Sequence, residues 1–408
     1  MKLSCIITTR NNCNSLRAAL AHLEESCGLA AHDREVLVVD NGSTDGTADA
    51  LSRRRDVRVI SLEENEGVPA RNLALAQAKG KYVAFLDDDI RPIGRAIPQA
   101  LAYLGRHQKT AAVVARVVLP DGSADAPALP SVLMSGASIV RKSALDEVGG
   151  FAAEFFRQAA DYELSFRLWR AGHRIERFED LQFARSRMPA VKSSELACRM
   201  DLRNNLILCE RYLPRPLRHA YRHDWMRRYA LLARQDGHAR AARTAVKESR
   251  IWAHREAAIG RRPLGPDAIE SIFGLGAQRE LISAWAKKNQ IRRVCIADWG
   301  KNLFATWSGC RSAGLRIEAI LDDLLAYAGV TYRNTPVVPQ SSVDRSAFDG
   351  ILVSTISPAH VNERANALES SFSVPVLRLW DPTQSLVPPP QGLSDLTGSG
   401  GRGIDRAA

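Results

Sequence analysis

Three carboxylates stand side by side at Asp87-Asp88-Asp89, directly after the apolar run Tyr82 to Leu86. Like charges in contact repel, and a divalent cation relieves that repulsion. Oxygen-only ligands suit Mg²⁺ or Mn²⁺, which keep some waters and take further oxygens from a substrate diphosphate. An acidic loop capping the helix that follows is the simpler alternative. Residues 82–86 are bulky or β-branched and bounded by Gly80, so they read as a buried strand that delivers the triplet at its carboxyl end. In open α/β sheets that end is where ligands sit.

The elements that position the triplet lie upstream. Leu3 to Thr8 reads as a first strand ending in Thr9-Arg10-Asn11-Asn12, with a helix from about Ser15 to Glu25. Glu35 to Val39 is a second strand running into Asp40-Asn41-Gly42, where Asn-Gly makes a tight turn. Ser43 or Thr44 is placed to cap a helix through Arg53. Arg58 to Ser61 is a third strand, and Asn65 to Asn72 leads into a helix ending near Gly80. Strands alternating with helices predict a parallel sheet with its loops on one edge. On that edge Thr9, Asp40, Arg71 and Asp87 to Asp89 can converge.

The series IITTRNN, EVLVVDNGSTDGT and NEGVPARNLALAQAKGKYVAFLDDD resembles the nucleotide-binding half of family 2 glycosyltransferases of the GT-A fold. The resemblance continues through Met134 to Leu145, Val148 to Phe151 and Asp161 to Leu168, roughly the first half of the chain. It implies a nucleoside-diphosphate sugar donor held by Thr8, Thr9, Arg10, Asp40, Asn65, Arg71, Asp87 and Asp88. It implies Mg²⁺ or Mn²⁺ on Asp87 and Asp89. It also implies that Asp161 is the base that deprotonates the acceptor hydroxyl in one inverting displacement. Where the family pattern reads Glu-Asp, Ala160 precedes Asp161. The His expected about twenty residues later is absent, and Arg185 lies near that place. Arginine has no free acceptor for a metal but can hold diphosphate as a fixed cation. Asp161 also opens a helix with an apolar face, and an N-cap role explains an Asp there by itself.

Charge is uneven. Residues 211–262 hold fourteen Lys/Arg against four Asp/Glu, so this segment carries +10 of the chain's +11. That argues for a local basic surface and against a nucleic-acid coat. Met200 to Pro214 resembles the R-N-x-L…R-Y-L-P run that follows the catalytic domain in bacterial polysaccharide glycosyltransferases. Beyond it, Trp225, Tyr229, Leu231 and Leu232 alternate with Arg227, Arg228 and Arg234. Such a helix either lies on an anionic membrane, near a lipid-linked acceptor, or packs on another part of the protein.

A third region contains the strands Arg293 to Asp298, Ile317 to Asp322, Gly350 to Ile356 and Val374 to Leu379. It resembles the Rossmann-like modules attached to sugar-modifying enzymes, with Asp322 where a ribose-binding acid stands. Its turn, Asp298-Trp299-Gly300-Lys301-Asn302, lacks G-x-G-x-x-G, and Trp299 is expected to obstruct a pyrophosphate.

The expected architecture is therefore α/β. A GT-A nucleotide-sugar-binding domain with a mostly parallel sheet spans 1–205, and a basic helical segment spans 206–290. A small Rossmann-like α/β domain covers 291–382, followed by a disordered tail, 383–408. The seven cysteines are scattered without C-x-x-C, against a disulfide framework or a zinc site. The first residues enter a strand at once, and no stretch reaches the ~18 apolar residues that span a bilayer, so a cytoplasmic location, at most peripheral to the membrane, is expected. The leading function is sugar transfer to a saccharide or lipid-linked saccharide hydroxyl. A non-catalytic nucleotide- or glycan-binding scaffold is the alternative, and nucleotidyl transfer would require a Gly-rich basic loop that TTRNN does not supply.

Overall fold

The computed structural model describes residues 1–189, 194–326 and 329–380; the expected tail lies outside them. Runs rich in β-branched and apolar residues become the strands Leu3–Thr9 (β1), Arg34–Asn41 (β2), Arg58–Leu62 (β3) and Tyr82–Asp87 (β4). They alternate with helices Cys13–Ser26 (α1), Thr47–Ser52 (α2) and Arg71–Leu75 (α3). The chain continues through Ile90–Pro92 (β5), Ala96–Arg106 (α4), Thr110–Val118 (β6), Ala124–Asp125 (β7) and Ala137–Arg141 (β8). Lys142–Val148 (α5), Ala160–Arg170 (α6) and Arg174–Arg185 (β9) complete this part. The sheet order is β3-β2-β1-β4-β8-β6-β9-β5, with β7 beside β6. The first four strands are parallel, and β8 runs antiparallel to β4. The register pairs Thr9 with Asp40 and Thr8 with Asp87, so the three loops leave the sheet at one level.

Helices Glu195–Tyr212 (α7), Arg215–Gln235 (α8), Ala239–Ile259 (α9), Pro266–Phe273 (α10) and Leu275–Lys288 (α11) follow. The C-terminal sheet is built from Arg293–Ala297 (β10), Arg316–Leu321 (β11), Thr331–Tyr332 (β12), Thr335–Val338 (β13), Gly350–Val353 (β14) and Val376–Arg378 (β15). Helices Leu303–Ser312 (α12) and Val361–Ser371 (α13) connect them. Its order is β12-β13-β11-β10-β14-β15, parallel except for the β12–β13 pair. Strand order therefore runs outward both ways from β10, as in doubly wound sheets. Among the described residues no helix is long and apolar enough to cross a membrane, and no disulfide forms.

The aromatic face of α8 is not a membrane face. Trp225 is 1% and Tyr229 8% exposed. The Trp225 indole donates to the Lys301 carbonyl at 2.8 Å, and Arg228 Nε donates to the Trp299 carbonyl at 2.5 Å. Burying aromatic area against a protein neighbour leaves nothing to insert into lipid. A row of exposed cations lies on α9, where Arg240, Arg243, Lys247 and Arg250 recur at helical spacing on one face. None of the four forms an ion pair among the described residues.

Candidate active site

The triplet is fixed from several sides. Asp88 is buried and accepts from Thr9 Oγ1 and Asn12 Nδ2, each at 2.7 Å. Burial pushes its carboxyl up, while those two donors pull it back. Asp87 accepts from Arg71 at 2.7 Å and from Arg185 at 3.2 Å. Asp89 accepts from Arg187 Nε at 2.7 Å, and Arg185 lies 3.7 Å away. Three guanidinium groups thus face three carboxylates, which relieves repulsion within the protein itself.

Gly136 is required beside Asp87, because a Cβ there would lie 2.5 Å from Asp87 Oδ2. The loops after β1 and β2 are tied together. Ser43 Oγ accepts from the Asn11 backbone at 3.0 Å, and Asn11 Oδ1 accepts from the Thr44 backbone at 2.7 Å. Neither Ser43 nor Thr44 caps α2 as expected; Asp45 Oδ1 accepts from the Thr47 N–H instead, at 3.1 Å. Asp40 is buried, accepting from the Ser43 N–H at 3.1 Å. Asn65 Oδ1 accepts from the Gly67 N–H at 2.9 Å and turns the loop toward Arg71. Thr8 Oγ1 is buried without a partner. Arg10 is exposed, and no hydrogen bond or ion pair ties it to the triplet among the described residues.

Asp161 is not an N-cap. The cap position belongs to Ala159, and Asp161 lies inside α6. Its Oδ2 accepts from the Ser135 N–H at 3.2 Å, while its Oδ1 is buried without a partner. Burial pushes this carboxyl above the ordinary aspartate range, and the charges of Arg71 (lowering) and Asp87 (raising) also act on it. The acid therefore belongs to the same electrostatic neighbourhood as the triplet.

What precedes it is unusual. Gln158 and Ala159 both have left-handed backbone, φ 45° and 58°. For non-glycine residues this costs on the order of 1 kcal/mol or more each. The cost is offset by the buried Asn204, whose Nδ2 donates to the carbonyls of Arg157 at 2.7 Å and Gln158 at 2.8 Å. Arg203 donates to the Glu154 carbonyl. The Arg-Asn pair of the middle segment thus clamps the turn that aims Asp161.

Asn12, Ser135, Gly136 and Arg187 are the members that sequence reasoning missed. Ser135-Gly136 lay within a quoted motif, and Arg187 stands just past the end of β9, two residues beyond Arg185.

Among the described residues no group of three or more His, Cys, Asp or Glu is arranged to hold a metal. Asp89 Oδ1 is nevertheless buried and unpartnered, and Asp87 supplies further hard oxygens. Two carboxylates completed by diphosphate oxygens and water fit a hard divalent ion.

The sequence model described as Glycosyl transferase family 2 matches residues 4–152, which carry β1 to β8 and the triplet. This stretch is a family 2 glycosyltransferase domain. Over 92 residues it is 36% identical to UDP-Glc:alpha-D-GlcNAc-diphosphoundecaprenol beta-1,3-glucosyltransferase WfaP of Escherichia coli, covering 22% of this chain and 36% of that one. The chain is also 31% identical over 205 residues to the pre-mycofactocin glycosyltransferase of Mycobacterium tuberculosis, covering 44% and 41%. The matches thus span about two-fifths or less of these relatives' length. Among solved structures, S. aureus TarS 1-349 in complex with UDP-GlcNAc aligns at TM-score 0.47 and 18% identity, over 76% of this chain and 91% of that one. That score is too low to carry a substrate or a mechanism across. The matched stretch carries the sheet edge and the triplet, and Asp161, nine residues beyond it, feels the charges of Arg71 and Asp87.

Proposed function

We propose that the protein transfers a sugar from a nucleoside-diphosphate sugar to a hydroxyl of a saccharide or lipid-linked saccharide, inverting the anomeric centre, in cell-surface polysaccharide synthesis. The observation that carries this reading is Asp161. It is a carboxylate that caps nothing, keeps one oxygen unpartnered, and feels Arg71 and Asp87 across the cleft.

Thr9, Asp40 and Asp88 are the groups for base and ribose, with Thr8, Arg10 and Asn65 on the surrounding loops. Arg71 and Arg185 are the cations available to the diphosphate. Arg187, 58% exposed in its side chain, can swing between Asp89 and solvent. Mg²⁺ or Mn²⁺ on Asp87 and Asp89 would neutralise the leaving diphosphate. Asp161 accepts the proton of the acceptor hydroxyl as its oxygen attacks the anomeric carbon. A raised pKa suits that work, since a stronger base takes the proton more readily.

WfaP, by its name, uses UDP-Glc and a diphosphoundecaprenol-linked acceptor, which supports a lipid-linked saccharide here. A cytoplasmic enzyme working at the inner membrane face would meet anionic lipid with Arg240, Arg243, Lys247 and Arg250 of α9. The test is a panel of nucleotide sugars with and without Mn²⁺, read by calorimetry and by release of nucleoside diphosphate. One donor should bind and turn over. Binding without transfer or hydrolysis of any donor would favour the non-catalytic scaffold.

A further inference from the structure

Between β10 and β14 the strand order of the C-terminal sheet reverses direction, and the loops leaving those two strands part. Such a crevice is where doubly wound sheets take ligands. Here it is bordered by the helical segment and by residues 126–162, leaving an open-mouthed pocket of about 600 Å³. That is ample for a small metabolite.

Its C-terminal wall is rich in donors. α12 and α13 both start at it, and their N-cap residues, Asn302 and His360, line it. Two helix N-termini turn their partial positive charge toward one space, although the N–H groups of Leu303, Ala305 and Val361 already bond to the carbonyls of Gly300, Asn302 and Ser357. Ser357, only 2% exposed, also lines it, and its Oγ has no hydrogen-bond partner.

Lys301 adds a full charge. It lies deep between the domains, 4.1 Å from the Tyr162 ring centroid and 5.6 Å from that of Trp225, yet part of its surface borders the cavity. Its ammonium donates to Asn205 Oδ1 at 2.9 Å, and no carboxylate is within ion-pair distance among the described residues. Burial lowers its pKa to about 8. Arg228 lines the cavity and likewise forms no ion pair. Asp201 and Asp236 are the carboxylates present; Asp201 is already bonded to Asn205 Nδ2 at 2.7 Å.

A dinucleotide does not fit this chemistry. Asp322, placed where an acid would hold ribose, accepts instead from the backbone N–H groups of Trp299, Leu324 and Leu325, at 2.8, 3.0 and 2.8 Å. Trp299, expected to obstruct the turn, is buried with its ring 5.1 Å from that of Tyr332, and Gly300 lines the cavity in its stead.

We infer that this cavity binds a small phosphorylated metabolite, with the phosphate between the two helix N-termini, Ser357 and Lys301, and hydroxyls toward Asp201 and Asp236. The anion supplies the countercharge that Lys301 lacks and the partner that Ser357 lacks. The site is separate from the donor cleft at the edge of β1 to β4.

Calorimetry on the full chain would use inorganic phosphate, a hexose phosphate and a nucleoside monophosphate as probes, against wild type, Lys301→Met and Ser357→Ala. At least one probe should bind wild type and lose about tenfold or more in Lys301→Met and severalfold in Ser357→Ala. UDP binding at the donor cleft should be unchanged in both. Binding of inorganic phosphate alone would identify the free ion as the ligand, and stronger binding of an ester would identify the metabolite class. No binding by any probe up to about 10 mM, or binding that survives both substitutions, overturns the inference. Should Lys301→Met fail to fold, Ser357→Ala decides, because it removes an atom that has no partner.

Discussion

Replacing Asp161 by Asn separates a base from a structural acid. Asp161 makes one hydrogen bond through its carboxylate, from the Ser135 N–H, and an amide oxygen accepts that bond equally well. The other oxygen is buried without a partner, so an amide nitrogen there forfeits no existing bond. Burial raises the carboxyl's pKa, which means that the charged form costs folding stability and that this cost fades as pH falls through the raised value. A neutral amide removes the cost, so at pH 7 the variant should be within about 1 kcal/mol of wild type, on either side. Transfer should fall about 10²–10⁴-fold, or roughly 3–5 kcal/mol of barrier, with donor affinity kept. Wild-type kcat/KM should rise with pH through a limb set above the ordinary aspartate value, since only the unprotonated base works, and the residual activity of Asp161→Asn should lack that limb. Rates come from diphosphate release, affinity from calorimetry and folding from thermal melts. A folded variant with near-normal turnover, or one whose donor affinity falls as far as its rate, refutes the assignment.

Three further outcomes follow from the same geometry. Asp89→Ala should abolish the Mn²⁺ enhancement of nucleotide binding while leaving the fold intact, because the released Arg187 is mostly exposed and rehydrates; calorimetry with and without Mn²⁺ checks this. Gly136→Ala puts a methyl 2.5 Å from Asp87 Oδ2, and a displaced Asp87 should lower kcat/KM by about 10–100-fold in a steady-state assay, with a modest fall in melting temperature. Paired charge reversal of Arg243 and Lys247 should weaken sedimentation with anionic vesicles by about 2 kcal/mol or more, whereas Trp225, being buried, has no part in that binding.

How far the sequence could be read depended on the range of the interactions. β1 to β4 and the placement of Asp87 to Asp89 were legible because a buried parallel strand is a local apolar run and its end is marked by the first charge. The position of Asp161 inside α6, rather than at its cap, was not, since the turn before it uses Gln158 and Ala159 in left-handed backbone, where glycine would have announced the turn. Only Asn204, some forty-six residues later, makes that turn tolerable. α8 was left open between two readings for a similar reason: a helix mixing aromatics with arginines looks the same whether lipid or protein covers it, and the cover here is the loop of Trp299 and Lys301. Arg187 was hidden because an arginine beside a carboxylate triplet is announced by no spacing rule.

The clamp of Asn204 on the carbonyls of Arg157 and Gln158 also bears on how such enzymes can be recombined. A chimera that joins residues 1–189 to a foreign C-terminal half keeps the donor cleft entire, with every side chain of the triplet's surroundings encoded upstream. It discards the amide that holds the turn before Asp161 in register. Such a hybrid would retain its nucleotide and lose its turnover, unless the transplanted helix brings an asparagine to the same turn.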